Sequence, residues 1–162
     1  IKWSKRRLQD SITTIALKDN LKEELQQLKQ NNKYIVLDVA GRDSAEFRSA
    51  LLTADVLIIP TQPSQTDIEV LPFVLRLVNT AKQVNKNLKT FVVLNKAPTN
   101  NKSTEIDAAL ELLQQVKSVK TLNTILRDRK QFRDAMIEGK SVLEMGSSKA
   151  KDELNEFLVE IL

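Results

Sequence analysis

The sequence predicts an α/β fold, a three-layer arrangement in which a mostly parallel β-sheet is flanked by helices. Short, almost wholly apolar runs alternate along the chain with longer stretches in which apolar residues recur at helical spacing. Strands that are apolar on both faces are typical of a parallel sheet that helices cover on both sides. With 162 residues, 41% of them hydrophobic and 28% charged, the chain is predicted to form one soluble domain over residues 1–162.

Apolar runs of strand length are predicted at residues 13–17, 34–38, 55–60, 89–94 and 121–126. These runs are short and rich in Val, Ile, Leu and Thr, as buried strands usually are. The second run ends at Asp38 and the third at Pro60. Because ligands of open α/β sheets bind at the carboxyl ends of the strands, residues just after these runs are candidates for a binding site.

Helical patterns lie between the apolar runs, at residues 20–31, 44–53, 67–85, 104–117, 128–138 and 148–162. Asn20 begins a capping-box pattern. Two helical patterns begin at Ser44 and Ser148, and Gly139 follows a helical pattern in the C′ position. Pro72 lies too deep in its helix for a first-turn proline, so we expect a bend or a later start there.

The composition excludes several kinds of chemistry. The sequence has no Cys and no His, which excludes disulfides, thiolate or imidazole metal ligands, and Cys or Ser–His nucleophilic catalysis. Any metal must be a hard ion bound by oxygen, such as Mg²⁺. No run approaches the ~18 apolar residues of a membrane span, and the basic first residues lack the apolar core of a signal peptide. We expect a cytoplasmic protein that binds no membrane.

Asp38 is a candidate for metal binding or catalysis. It ends an apolar run, and three residues later comes Gly41, where the backbone can approach a ligand because no Cβ is in the way. A carboxylate beside a glycine at the carboxyl edge of a sheet suits a water-bridged Mg²⁺ and a phosphate group. An isolated Asp at a strand end more often caps the following turn, and this alternative stays open.

The loop PTQPSQTD, residues 60–67, has two interpretations. Pro63 stiffens the loop, while Ser64 and Asp67 either meet a ligand at the same edge or only cap the next helix. Asn95 is predicted to end the strand in VVLNKA, residues 92–97, where its amide suits either a purine edge or a loop cap. Spacing alone does not separate these alternatives.

Four cations follow the last predicted strand within seven residues, and we call them the basic cluster: Arg127, Arg129, Lys130 and Arg133. A solvated helix face is the commoner explanation for such a run. A surface that contacts phosphates is the alternative. The net charge of +4 and a second basic run at residues 5–7 favour phosphate contact slightly.

Three blocks of sequence resemble the ParA family of plasmid and chromosome partition ATPases, especially its short ParF-like type, and the related MinD proteins. They are YIVLDVAGRDSAEFRSALLTADVLIIPTQPSQTDIEVL, FVVLNKA and ILRDRKQFRDAMIEGKSVLEM. The first block is quite specific, with a D-x-x-G followed by A-D-x-x-I-x-P-x-x-P-S-x-x-D. The resemblance covers nearly the whole chain from about residue 33 onwards and implies a P-loop NTPase-like fold.

The resemblance also implies roles for the candidate residues. Asp38 would be the Walker B acid, oriented to Mg²⁺ or the attacking water, and Gly41 would face the γ-phosphate. Asn95 would lie near adenine. Three loop residues would pack nearby: Pro63, Ser64 and Asp67. The basic cluster would belong to the surface that meets DNA or the nucleotide.

The family's phosphate loop, K-G-G-x-G-K-[ST]-T, does not occur in the 162 residues, which contain only three glycines. We expect it upstream of Ile1, together with the first strand and its helix, so that this chain is the C-terminal portion of the ATPase domain. The 162 residues alone are therefore expected to be inactive, whereas the intact protein is expected to hydrolyse ATP with Mg²⁺.

The resemblance implies a nucleoid-associated partition ATPase that dimerises with ATP and binds DNA nonspecifically, with a centromere-binding adaptor protein that stimulates hydrolysis. Two alternatives are a non-enzymatic module that binds DNA or a protein, and a MinD-like ATPase that cycles on a membrane. The last helix argues against the membrane alternative, since its apolar residues are better used as core contacts. These residues are Leu154, Phe157, Leu158 and Ile161.

Overall fold

A computed structural model describes residues 2–8, 10–18, 21–40, 43–100, 104–116 and 119–162 of the chain. Its helices are α1 (Lys22–Asn31), α2 (Ala45–Thr53), α3 (Gln65–Lys82), α4 (Thr104–Gln114), α5 (Lys130–Glu138) and α6 (Lys149–Ile161). Its strands are β1 (Val56–Thr61), β2 (Lys89–Ala97) and β3 (Lys120–Arg127). Short 3₁₀ helices lie at Ser4–Arg6 and Val142–Glu144.

The described strands form one sheet in the order β1-β2-β3. β2 and β3 run parallel, with Phe91 opposite Lys120 and Leu94 opposite Ile125. α4 lies between them in the chain, as the crossover between parallel strands requires. The predicted α/β class, a parallel sheet flanked by helices, is confirmed.

The chain divides into two compact units, each with a hydrophobic core of its own. The first consists of Ile1–Ile15, Ile58–Glu69 and Phe91–Leu162, and the second of Ala16–Leu57 and Val70–Thr90. That residues 1–162 form a single domain remains a prediction.

The core of the first unit lies between α6 and the sheet. Phe157 and Ile161 of α6 pack against the buried side chains of Phe91, Val93 and Leu122. Each large apolar side chain that is fully buried in this way stabilises the fold by roughly 1.5–3 kcal/mol. The predicted use of the apolar face of α6 in the core is confirmed for these residues.

Two carboxylates of α6 bind the backbone of β3, an edge strand of the described sheet. Glu160 accepts hydrogen bonds from the N–H groups of Asn123 and Thr124 at 2.8 and 2.9 Å, and Glu153 accepts one from Arg127 at 3.2 Å. Burial opposes ionisation of Glu160, but the hydrogen bonds from Asn123 and Thr124 outweigh it and lower its pKa. The carboxylates thus satisfy N–H groups at an edge of the sheet.

The N-terminal segment, residues 2–7, packs on the turn after α5. The indole N–H of Trp3 donates to the carbonyl of Lys140 at 3.1 Å. Arg7 donates two hydrogen bonds to the carboxylate of Glu144, at 2.7 and 2.9 Å, and its side chain is only 6% exposed. This bidentate pair joins the N-terminal segment to the Val142–Glu144 helix.

Gly139, which ends α5, lies under the N-terminal segment. Its φ of 69° is left-handed, as predicted for the C′ position. A Cβ on Gly139 would lie 2.6 Å from the carbonyl carbon of Arg6 and 2.7 Å from its oxygen. Both the backbone conformation and the close approach of Arg6 therefore require glycine.

The ion pair of Arg7 and Glu144 predicts a pH dependence of stability. The hydrogen bond from Arg7, followed by one from the N–H of Ser141, lowers the pKa of Glu144 from 4.5 to about 2. Because the folded-state pKa is the lower one, the stabilisation is fully present above pH 4.5 and is lost as the pH falls towards 2. We expect the melting temperature of Glu144→Gln to lie below that of the wild type at neutral pH. The difference between the two melting temperatures should narrow progressively as the pH is lowered.

Glu138→Gln is a matched control for this prediction. Glu138 pairs with Lys140, and both side chains are about half exposed. Exposed ion pairs contribute little to stability, so the control should melt close to the wild type throughout the titration. A Glu144→Gln deficit that is as large at pH about 2 as at neutral pH would contradict the assignment.

The core of the second unit joins α2 to α3. Its buried residues are Phe47, Leu51, Val78, Ala81 and Leu88. The Ser44 hydroxyl accepts the N–H of Phe47 at 3.2 Å and caps α2, which begins within one residue of its predicted start. Phe47 and Leu51 both face this core.

Two predicted strands are not strands in the structure. Residues 13–17 and 34–38 have no regular secondary structure, and neither pairs with a described strand. In the first, the side chain of Ile15 is half exposed. Apolar and β-branched composition favours a strand only where a neighbouring strand satisfies its backbone, and the described residues provide none for these segments.

The segment around Asp38 was predicted to be buried on both faces, and this was wrong. Tyr34 and Val36 are 75% and 93% exposed, whereas Ile35 and Leu37 are half buried. Burial therefore alternates along the segment. A continuous apolar run does not reveal that only one of its faces is covered.

The remaining differences concern the ends of elements. Leu21 occupies the N-cap position of α1, and the capping box predicted at Asn20 lies outside the described residues. α3 begins earlier than predicted and continues through Pro72, so a later start was wrong. α5 begins after Arg129 rather than at Asp128. Such shifts are expected because propensity fixes the ends of elements poorly.

Candidate functional site

Asp38 is exposed and lies in the second unit, between α1 and α2. The next residue, Val39, packs against the core that contains Phe47 and Leu51. This contact anchors the backbone beside an acid that faces solvent. Gly41, the other half of the predicted D-x-x-G site, lies outside the described residues. The catalytic and Mg²⁺-binding role of Asp38 thus remains a prediction.

The acidic residues of the described part of the chain do not form a metal centre by themselves. No group of three or more acidic side chains there could hold a metal ion. Asp38 offers a single carboxylate, and the sequence contains no phosphate loop. Mg²⁺ usually takes one or two carboxylates together with substrate phosphates and water. The residues present therefore suit one part of a Mg²⁺–nucleotide site but do not form a complete site by themselves.

The predicted loop residues Pro63, Ser64 and Asp67 come together at the start of α3 in the first unit. The Ser64 hydroxyl accepts the N–H of Asp67 at 3.3 Å and donates to its carboxylate at 2.7 Å. The capping interpretation of this loop is therefore confirmed, since these bonds occupy the first turn of the helix. A nucleotide contact by the same residues remains a prediction.

An open, mostly apolar groove lies beside this helix start. Its volume is about 360 Å³, and Pro63 and Ser64 line it together with Ala108 and Leu112 of α4. Glu69 and Glu105 add carboxylates to the lining. Acidic side chains repel phosphate, so this groove does not suit the phosphates of a nucleotide.

Asn95 lies inside β2 rather than after it, because the strand continues to Ala97. Leu94 pairs with Ile125 and Ala97 with Arg127, so three steps along β2 match two along β3. Lys96 has a left-handed φ of 52°. These are the features of a β-bulge, a device that changes the direction of a side chain and is common beside functional sites. The predicted adenine contact of Asn95 remains a prediction.

Two members of the basic cluster converge on one acid of α6. Arg129 donates to Glu153 through Nε and Nη2 at 2.9 and 2.6 Å, and Nε of Arg127 lies 3.7 Å from the same oxygen. Arg127 also donates to the carbonyl of Pro98 at 2.8 Å. All three charged side chains are less than one-fifth exposed. This group therefore joins the end of β3 to α6.

The other two cations are exposed and paired on α5. Lys130 contacts Asp134 at 2.8 Å, one helical turn away, and Arg133 contacts Asp128 at 2.5 Å. The side chain of Lys130 is 77% exposed and that of Arg133 is 60% exposed. Every cation of the basic cluster thus has a carboxylate partner. The DNA-binding role of the cluster is not tested by these contacts.

Sequence reasoning did not identify Glu153 or Glu160 as residues that bind the backbone of β3. Both lie on the face of α6 that also presents Phe157 to the sheet. Their separation of seven residues, two helical turns, is the signal that could have identified them. Carboxylates on the covered face of a helix need buried partners.

A family model described as an AAA domain matches residues 5–92, more than half of the chain. The matched region contains Asp38, Gly41 and the loop at residues 60–67. Within the described residues, no helix is both long and apolar enough to cross a membrane.

Curated relatives are similar over much of the chain. Maintenance of carboxysome distribution protein A of Halothiobacillus neapolitanus is 27% identical over 86% of the chain and 65% of its own length. Sporulation initiation inhibitor protein Soj of Bacillus subtilis is 24% identical over 82% of the chain and 52% of its length. ParA family protein MG470 of Mycoplasma genitalium is 29% identical over 48% of the chain and 29% of its length.

The chain thus spans less than two thirds of the length of each of these relatives. The family model covers the first of the three sequence blocks, and the parallel sheet is consistent with a P-loop NTPase-like fold. The chain therefore belongs to the ParA family, a family of P-loop ATPases.

Proposed function

We propose that the intact protein is an ATPase that partitions or positions a cellular cargo, using ATP and Mg²⁺. The observation that supports this proposal is the family match over residues 5–92, which includes the D-x-x-G of Asp38 and Gly41. Hydrolysis is phosphoryl transfer to water, a reaction in which enzymes act mainly by positioning and charge stabilisation.

Asp38 contributes the acid of the site in this proposal. Its exposed carboxylate would help to hold Mg²⁺ or orient the attacking water, and the lack of a Cβ at Gly41 would let the backbone approach the γ-phosphate. Asn95, beside the bulge of β2, contacts the base. The proposal also requires a phosphate loop, a motif that the 162 residues do not contain.

DNA and an adaptor protein are the partners in this proposal. ATP-bound homodimers coat nucleoid DNA without sequence preference, and a centromere-bound adaptor stimulates hydrolysis. The net charge of +4 and the basic cluster support contact with a polyanion. The name of one relative refers to maintenance of carboxysome distribution, a positioning role that supports this proposal.

DNA binding by the basic cluster can be tested on the intact protein with ATP. We expect Lys130→Ala and Arg133→Ala each to weaken binding to duplexes of unrelated sequence by a similar factor, and to reduce the salt slope by about 1. Both side chains are exposed, so the fold should tolerate the change. Fluorescence anisotropy at several salt concentrations measures both quantities.

Lys140→Ala is the matched control, because Lys140 is also an exposed, paired lysine but lies beyond the end of α5. Equal losses in the control would contradict a specific role for the cluster. An intact protein that binds DNA but never hydrolyses ATP would support the non-enzymatic alternative. Co-sedimentation of the protein with liposomes would support the MinD-like alternative, but we expect the protein not to co-sediment with them.

A further inference from the structure

We propose that three carboxylates, Asp128, Asp134 and Glu153, limit the DNA affinity of the basic cluster by pairing with its cations. This inference rests on the proposed DNA-binding function and adds its regulation. Phosphates reach the cations by replacing carboxylates, so the acids set how much affinity the cluster provides. The following observations support it.

Four cations face three carboxylates in this part of the first unit, so the net charge of the group is only about one positive charge. A phosphate that approaches Lys130 or Arg133 also approaches Asp134 or Asp128. The repulsion between phosphate and carboxylate therefore offsets much of the attraction that the cluster would otherwise exert.

The pairs differ in how easily they exchange partners. In the Arg133–Asp128 pair both side chains are exposed, and in the Lys130–Asp134 pair the lysine is exposed while Asp134 is half-buried. Pairs with this much exposure to water hold together weakly. The arginines on Glu153 are shielded from water, and the same carboxylate also accepts the N–H of Arg127. Phosphate should consequently replace the exposed carboxylates first, while Glu153 retains Arg127 and Arg129.

The start of α5 adds to this interpretation. Its N-cap, Arg129, forms no side-chain capping hydrogen bond, and its first turn contains no acid. The positive end of the helix dipole thus lies next to Lys130 without a carboxylate from that turn. The nearest acids along the chain are Asp128 and Asp134, the same residues that pair with the exposed cations.

The test measures DNA affinity of the intact protein with ATP, with Asp134→Asn and Asp128→Asn as the variants. We expect each to raise the association constant for a nonspecific duplex about two- to fivefold, and the gain to shrink at high salt. The control is Glu138→Gln, which removes the same charge from an exposed pair at the other end of α5. It should change affinity little.

A double variant establishes that the acid acts through its partner. In a Lys130→Ala background, Asp134→Asn should lose most of its gain, because the cation that it would release is gone. Glu153→Gln should raise DNA affinity if it frees Arg127 and Arg129 without unfolding the protein. The melting temperature of this variant is therefore measured together with its DNA affinity. Its control, Glu160→Gln, removes a carboxylate that binds Asn123 and Thr124 rather than a cation.

The outcomes are distinguishable from a failure of the proposed function. If Arg133→Ala weakens DNA binding but neither Asp variant strengthens it, pairing does not limit affinity and the inference is overturned. An equal gain from Glu138→Gln would also overturn it, since net charge alone would explain the effect. If no variant binds DNA at all, both the inference and the DNA-binding function are wrong, while ATP turnover reports on the ATPase separately.

Discussion

Asp38→Ala is expected to lower steady ATP turnover of the intact protein by at least about a hundredfold, the scale on which enzymes lose activity when a positioned acid or base is removed. The carboxylate is exposed and lies next to Val39, which is anchored in a core. Removing it should therefore leave the fold intact while the site loses the carboxylate that we propose orients Mg²⁺ or water. A coupled assay of phosphate release measures the effect.

Asp55→Ala is the matched control for Asp38. Asp55 is also an exposed acid of the second unit, immediately before β1, and its pair with Lys29 is exposed. Its removal should leave turnover and melting temperature near those of the wild type. Steady turnover in the Asp38 variant would refute the assigned role. A loss shared by both variants would instead indicate a general effect of charge.

Gly139→Ala is expected to destabilise the intact protein by about 2–3 kcal/mol, which combines a left-handed backbone penalty with steric displacement of Arg6. The added Cβ would meet the carbonyl group of Arg6 at 2.6–2.7 Å. The N-terminal segment would have to move away from the turn after α5, weakening the bonds of Trp3 and Arg7. The melting temperature should fall by roughly 4–12 °C.

Gly146→Ala provides the comparison, since a Cβ at Gly146 would have no atom within 4 Å and its φ is not left-handed. This variant should melt at or slightly above the wild-type temperature, because alanine restricts the unfolded chain. Indistinguishable melting of the two variants would mean that the N-terminal segment does not pack on Gly139 in solution.

The sequence predicted the α/β class well because helical spacing and caps are local signals. Ser44, Ser148 and Gly139 each lie at a helix end that the sequence predicts, and each caps its helix. The predicted strands at residues 13–17 and 34–38 failed because strand formation depends on distant partners, which no local pattern reveals. The apolar character of Tyr34 and Val36 does not show whether another part of the protein covers their side chains.

The candidate site was predictable only in part, for a similar reason. Motif spacing identified Asp38 and the loop at residues 60–67, and the loop proved to be a helix cap as well. The charge run identified the basic cluster but not Glu153, which lies more than twenty residues away in sequence. Ion pairs between distant elements follow from the tertiary fold, so the shared partner of Arg127 and Arg129 is not encoded beside them.

The hydrogen bonds from β3 to Glu153 and Glu160 also have a consequence for assembly. An exposed strand edge is a template on which another polypeptide can extend a sheet. Here the donors of Asn123, Thr124 and Arg127 are already saturated by carboxylates of the same chain. A second molecule that approached this border would meet negative charge instead of open N–H groups. Addition of a strand from another molecule along Asn123–Arg127 is therefore disfavoured.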